Sequence, residues 1–431
     1  MRDYFFTLLI LCVVPFIVWR PYIGILAWYF LAYLNPHKFL YAFGRGFPYS
    51  EVIGGATLVA WLVRPEPKRF PPSLTFWLWI FFICWMAFTS IYAEVPDFRD
   101  YMLNRTLKVE FFALFTVIVT TTWDRLRSLI WVTCFSLGFY GVKGGAYVIG
   151  TGGGSGKVWG PAGTFIEGNN ELALALLMIV PLILFLIKTI NRKVGRYVLG
   201  GCLFLVAVSI AGSFSRGALV ASLALAVFLI ARTRRSKAFI LLAAVTVGFI
   251  AVVMPQSWYD RMGTIQTYEE DSSAQKRLNS WHFAWEYAKD HPIVGGGFGV
   301  FRSEEAYQKY APRSDEGWVG LDAHNIYFQV LAEHGFVGLV LFVLVLFSAW
   351  RDLGRVIRQH QKDINEWALN SENTAALATA LQGSLLAFCV GGMFLSLAYF
   401  DLPYMIIGMA VSLAFQINRA SHEKPRVPSR F

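Results

Sequence analysis

Apolar stretches of similar length recur along this chain, and they leave very few folds open to it. Residues 74–91, 107–121, 172–187, 198–211, 218–231 and 238–254 each approach the roughly 20 residues that a helix needs to cross a bilayer. Hydrocarbon offers no partner to backbone N–H and C=O groups, so an apolar segment of this length bonds within itself as a helix. Charged residues make up 15% of the 431, against about 25% in soluble domains. The sequence therefore predicts an all-α, polytopic membrane protein.

The net charge of +10 raises nucleic acid as a partner, but its placement argues otherwise. Basic residues gather between the apolar stretches: Arg64, Lys68 and Arg69; Arg125 and Arg127; Lys188, Arg192, Lys193 and Arg196; Arg232, Arg234, Arg235 and Lys237; Arg351, Arg355, Arg358 and Lys362. Basic short loops alternating with less basic ones follow the positive-inside rule. The charge encodes topology, and no nucleic-acid partner is expected. With the basic loops cytoplasmic, residues 1–254 form an N-terminal transmembrane bundle and 255–323 a long outward-facing loop. Residues 324–418 form the C-terminal transmembrane helices, and 419–431 a basic cytoplasmic tail. Proline disrupts a helix interior, so Pro15 and Pro21 predict one crossing plus a partial helix over residues 4–35. That gives about 12 spans with both termini cytoplasmic; two full N-terminal spans would give 13. The apolar N-terminus lacks a small-residue cleavage site and reads as a retained span.

The long loop is more acidic than basic, opposite in sign to the whole chain. Leu278, Trp281, Trp285 and Ala288 recur at three- and four-residue spacing, which predicts an amphipathic helix over 274–290. A second short helix is expected over 303–310. Trp258, Trp281, Trp285 and Trp318 suit an assembly at the membrane interface, where tryptophan is favoured. No internal repeat stands out, which argues against inverted-repeat transporters.

Candidate chemistry gathers where this loop re-enters the membrane. In Asp322-Ala323-His324-Asn325, a helix starting here places His324 in its first turn. The helix dipole there disfavours imidazolium, while Asp322 favours it. A neutral histidine at the membrane–water boundary suits a general base for a hydroxyl; the alternative is a histidine that only caps the helix. Arg216, in Ser213-Phe214-Ser215-Arg216-Gly217, interrupts two apolar spans. Such an arginine is costly unless it faces a cavity or an anion, and its donor fork matches phosphate; snorkelling to headgroups is the alternative. Arg277, beside Lys276, offers a diphosphate clamp or simply a solvated helix face, and Arg105 is a candidate of the same kind. Glu333 lies on the helix of His324, and at about 100° per residue it points nearly away from it. It is expected to satisfy polar groups inside the bundle and not to form a dyad.

Two glycine-rich segments resemble nucleotide sites and fail their patterns. Residues 152–157 (GGGSGK) have Thr151 where a phosphate-binding loop needs glycine, and Val158 where it needs Ser or Thr. Residues 295–299 lack the preceding strand of a dinucleotide fingerprint. Both are expected to be flexible loops. The five cysteines lie in apolar segments without CxxC spacing, so neither a disulfide framework nor a zinc site is indicated.

The run from His324 to Gly338 (HNIYFQVLAEHGFVG) resembles the H-N-x-x-(L/F)-x-x-x-x-E-x-G-x-x-G signature of the O-antigen ligase superfamily. Ser215-Arg216-Gly217-Ala218 resembles its S-R-G-A element. Arg277 with Trp281, then Pro292-Ile293-Val294-Gly295-Gly296-Gly297, resembles its R-x-x-x-W … P-x-x-G-x-G stretch. The resemblance covers residues 165–350, and the outer spans by hydropathy and count. It implies a multi-pass glycosyltransferase of the GT-C type in the bacterial inner membrane, acting on the periplasmic side. Such enzymes move a glycan from undecaprenyl diphosphate to a hydroxyl. The acceptor is lipid A–core for O-antigen ligases, a side chain for protein O-oligosaccharyltransferases, and another repeat unit for O-antigen polymerases. The short tail after residue 418 favours lipid A–core, although the chain also resembles ligase-like proteins found beside exosortase systems.

Carried over by motif, His324 is the general base, and Arg216 and Arg277 bind the diphosphate with Arg105 as a further candidate. Ser215, Asn325, Asp322 and Glu333 are expected in support. With no DxD-like constellation on the outer loops, the transfer is expected to be metal-independent and inverting, without cofactor or covalent intermediate. Membrane lipids, the lipid-linked donor and the hydroxyl acceptor are the expected partners. A polysaccharide flippase or other transporter is the competing class. It predicts charged or broken helices near the bilayer midplane, whereas the polar candidates here gather at the outer edge.

Overall fold

The computed structural model describes residues 2–41, 43–66, 68, 70–153, 156–232, 237–263, 272–311, 322–362 and 371–422. Trp318 and the greater part of the basic tail, from residue 423, lie outside the described residues. Among those described, every regular element is helical. The N-terminal half holds α1 (Arg2–Trp19), α2 (Pro21–Leu34), α3 (Phe43–Gly46), α4 (Tyr49–Val63), α5 (Leu74–Thr89), α6 (Pro96–Val119), α7 (Trp123–Thr151) and α8 (Asn169–Thr189). There follow α9 (Lys193–Ala211), α10 (Arg216–Arg232), α11 (Lys237–Val253), α12 (Gln256–Gly263), α13 (Ser272–Asp290) and α14 (Glu304–Tyr310). Last come α15 (Ile326–Lys362), α16 (Ser371–Gly391) and α17 (Asp401–His422).

Among the described residues, six segments are long and apolar enough to cross a membrane: α1, α8, α9 and the stretches 74–92, 326–359 and 373–394. The chain is a multi-pass membrane protein. At 17 residues each, α10 and α11 fall just short of that length, and α6 opens on charged turns around Asp97, Arg99 and Asp100. Phe5, Leu8, Phe81, Leu223 and Val252 are among many exposed large apolar side chains. An apolar exterior this extensive suits lipid and not water. At the N-terminus α1 runs unbroken through Pro15, while Pro21 opens α2 at its first turn, where a missing N–H costs nothing. The 14 residues of α2 span about 21 Å, at 1.5 Å each, less than the ~30 Å hydrocarbon core.

At the centre, α8 buries side chains on all its faces, as an interior helix must. It packs against α16, α9, α7 and α10, and α15 packs against α5, α16, α17 and α13. The helices expected in the long loop form as α13 and α14. Ser303 caps α14, its Oγ accepting from the Ala306 N–H at 3.2 Å. Phe283 and Tyr287 of α13, Tyr307 of α14 and Phe301 between them build a small second core against Ala323 and Ala332.

The glycine run 295–299 is not the flexible loop its composition suggests. Inside α15, Gly335 departs from helical geometry (φ 69°, ψ −174°), and a kink of this kind opens backbone groups for outside partners. Gly296 N–H donates to the Ala332 carbonyl at 2.9 Å, and Gly297 N–H to the Glu333 carbonyl at 2.8 Å. In return, Phe336 N–H donates to the Pro292 carbonyl at 2.8 Å. A Cβ on Gly335 would stand 2.2 Å from the Ile293 oxygen, and one on Gly295 2.6 Å from the Ala332 oxygen. Glycine is therefore required on both sides of the contact, and the segment is locked into the kink.

Candidate functional site

A helix leaves its last carbonyls without internal partners, and the end of α9 shows how this chain uses them. Four consecutive carbonyls accept from three other segments of the chain. Ala211 accepts from Trp258 Nε1 at 3.0 Å and Gly212 from the Val158 N–H at 3.0 Å. Ser213 accepts from Asn169 Nδ2 at 2.7 Å and Phe214 from Arg261 Nε at 2.9 Å. Phe214 holds a left-handed conformation (φ 57°), rare for a bulky side chain, and turns the chain sharply. Ser215 then accepts the Ala218 N–H at 3.2 Å, which caps α10 and places Arg216 at its N-terminus. Gly217 allows close packing here, since a Cβ would meet Phe394 Cβ at 2.9 Å. A helix N-terminus favours anions, and Arg216 reinforces that preference.

The R-x-x-x-W spacing has a similar geometric origin. Trp281 Nε1 donates to the Ala323 carbonyl at 2.9 Å, and its ring stacks on Phe328 at 5.6 Å. One turn earlier on the same face of α13, Arg277 is carried down to the elbow before α10. Arg216, Arg261 and Arg277 line one cleft with Asn170, Leu174, Ser215, Gly217, Ala218, Gly391, Phe394 and Leu395. Three guanidinium groups thus bring positive charge to one cleft. Lys157 stands near enough to Arg261 that, after burial, this neighbour lowers its pKa.

His324 does not occupy the first turn of α15, as the sequence suggests. Asn325 caps that helix, its Oδ1 accepting from the N–H groups of Tyr327 at 2.9 Å and Phe328 at 3.3 Å. His324 precedes the cap in a left-handed conformation (φ 48°). Its N–H donates to Ser396 Oγ at 2.7 Å, beside the cleft residue Leu395. Burial and then the Arg277 charge hold its imidazole below the ordinary range, with Asp322 opposing them. Asp322 is exposed and lies 3.7 Å from Arg302.

The remaining expected residues stand apart from the cleft wall. Arg105 lies over the Phe165 ring at 3.5 Å from its centroid, and its Nη1 donates to Tyr101 Oη at 3.3 Å. Glu333 is buried; Oε1 accepts the Gly299 N–H at 2.9 Å and Oε2 the Tyr399 hydroxyl at 2.6 Å. Those bonds tie the glycine run to the α15 kink and to the turn before α17. Sequence reasoning did not select Arg261, Asn170 or Lys157. Arg261 sits in an unremarkable Tyr-Asp-Arg-Met run, and only its spacing from Trp258 hints at a shared helix face.

Beside the cleft, and sharing Ser215 with it, runs a larger groove between α8, α9, α10, α11 and α12. Its walls are largely aliphatic, with Leu177, Leu203, Ile210, Leu219, Leu225, Ile250, Trp258 and Met262 among them. A polar cleft thus adjoins an apolar channel among the membrane helices. No curated protein matches the chain. A family of unknown function (DUF5935) matches residues 1–191, and the family described as O-antigen ligase matches residues 201–343. That second region contains the elbow, all three cleft arginines, His324 and Glu333, so the chain carries an O-antigen ligase domain over residues 201–343.

Proposed function

We propose that this protein transfers an O-antigen-type glycan from undecaprenyl diphosphate to a hydroxyl of lipid A–core, on the periplasmic side of the bacterial inner membrane. The observation that carries this reading is the three-arginine cleft at the start of α10, joined at Ser215 to an apolar groove. A diphosphate matches the charge of the first, and a polyprenyl tail the aliphatic lining of the second. The proposed frame is a GT-C bundle of about 12 spans, with α12, α13 and α14 covering the donor.

In this mechanism His324 removes the proton from the acceptor hydroxyl, whose oxygen attacks the anomeric carbon. The bond from that carbon to the diphosphate oxygen breaks, with inversion and without a covalent intermediate. Arg216 and Arg277 take up the charge that develops on the leaving diphosphate. Preorganised donors of this kind are worth most where charge appears in the transition state, and guanidinium–phosphate bonds are among the stronger charge-assisted ones. Arg277 also helps keep His324 neutral, which a base requires. Arg105 is assigned to holding the 156–168 segment, through Phe165, and Glu333 to holding the kink.

The test is reconstitution of the full chain with undecaprenyl-diphosphate glycan and lipid A–core, followed by mass analysis of the products. Glycosylated lipid A–core is expected. A glycosylated protein or an extended repeat would move the acceptor to the related ligase or polymerase chemistries. Absence of transfer to any hydroxyl acceptor would sink the reading.

A further inference from the structure

The short helix α12 faces both compartments of the site. Arg261 lines the polar cleft, while Trp258 and Met262 line the apolar groove. Three- and four-residue spacing puts these side chains on one side of a helix. The helix is also fixed to the elbow that presents Arg216, by Trp258 Nε1 to the Ala211 carbonyl at 3.0 Å and Arg261 Nε to the Phe214 carbonyl at 2.9 Å. Engagement of Nε sets the plane of the guanidinium relative to the start of α10. Lys157 adds a further positive charge beside Arg261.

Resting on the function proposed above, we infer that α12 reads the junction between headgroup and tail and selects polyprenyl diphosphates over monophosphates. Arg261 holds the second phosphate, and Trp258 and Met262 seat the first isoprene units. A diphosphate ester carries more negative charge than the monophosphate on the same tail, so a third guanidinium acts mainly on the difference between them. Arg261 is thus a specificity-determining residue, separate from the two arginines that the family motifs supply.

The experiment measures binding of undecaprenyl diphosphate, undecaprenyl monophosphate and inorganic pyrophosphate to the full chain in nanodiscs. Wild type is expected to prefer the lipid diphosphate to the monophosphate by about tenfold or more, the scale of one charge-assisted phosphate contact. Arg261→Ala should bring that ratio close to unity with little change in monophosphate affinity, and Arg261→Lys should restore part of it. Met262→Ala, which leaves the Trp258 and Arg261 bonds to the elbow in place, should weaken both lipids and leave pyrophosphate unchanged. If Arg261 only braces the elbow, lysine fails as alanine does and both lipids weaken together, which overturns the inference. A diphosphate preference that survives Arg261→Ala overturns it as well. Wild-type protein that binds neither lipid fails at the earlier step, the assignment of the cleft to a lipid diphosphate.

Discussion

At the scale of single residues, the proposed chemistry turns on keeping one imidazole neutral. Burial and Arg277 depress the His324 pKa and Asp322 raises it, so the base form persists below the ordinary imidazole range. The transfer rate of the reconstituted enzyme should hold as pH falls past about 6.5, the unperturbed histidine value, and then drop along one acid limb. Arg277→Gln removes a contribution that lowers the pKa, so that limb should move to higher pH. Asp322→Asn removes one that raises it, so the limb should move lower. Single-turnover pH–rate profiles decide this, and limbs that stay fixed in both variants would exclude His324 as the titrating base. Much of this site was legible in the sequence: His324, Arg216 and Arg277 stand out as costly polar residues at the edges of apolar runs. Arg261 was not, because its role comes from a bond to the Phe214 carbonyl, 47 positions away.

At the scale of elements, short motifs turn out to be packing statements. Arginine and tryptophan four residues apart place an anchor and a cation on one face of α13, so both act on the loop that carries His324. The glycines of 295–299 and Gly335 are two halves of one backbone contact. A Gly335→Ala variant must accept a positive φ and a Cβ 2.2 Å from the Ile293 oxygen. It should be destabilised by about 1–3 kcal/mol, the usual cost of a strained backbone position, and melt earlier in detergent. Gly55→Ala on α4, where nothing lies within 4 Å of the added carbon, is the control and should melt no earlier than wild type. Equal melting of the two would contradict the docked kink. Helix periods in the apolar runs and in α13 were readable because they repeat. The docked glycine run was not, since a turn-forming glycine and a glycine demanded by close contact look alike in one sequence. The start of α15 was misplaced for a related reason: His324 and Asn325 are adjacent, and only the Oδ1 bonds of Asn325 identify the cap.

At the scale of the whole molecule, the elbow at residues 211–216 joins the two regions that the family comparisons treat separately. Asn169 and Val158, within the N-terminal match, bond to its carbonyls, as do Trp258 and Arg261 within the O-antigen ligase match. The polar cleft therefore depends on both halves of the chain, although family motifs mark only one. Composition made the membrane character plain, because a charge fraction this low suits only a lipid exterior. It could not show that a polar cleft adjoins an apolar groove, since the walls come from helices far apart in sequence. The central claim is that His324 acts in chemistry while the arginines act in holding the donor, and one preparation tests both. Donor binding and single-turnover transfer should be measured together in reconstituted wild type, His324→Ala and Arg216→Ala. The account predicts that His324→Ala binds the undecaprenyl-diphosphate donor as wild type does while transfer falls by about 10²–10⁴, the usual contribution of a general base. Arg216→Ala should lose donor affinity. Transfer by His324→Ala at the wild-type rate would contradict the account.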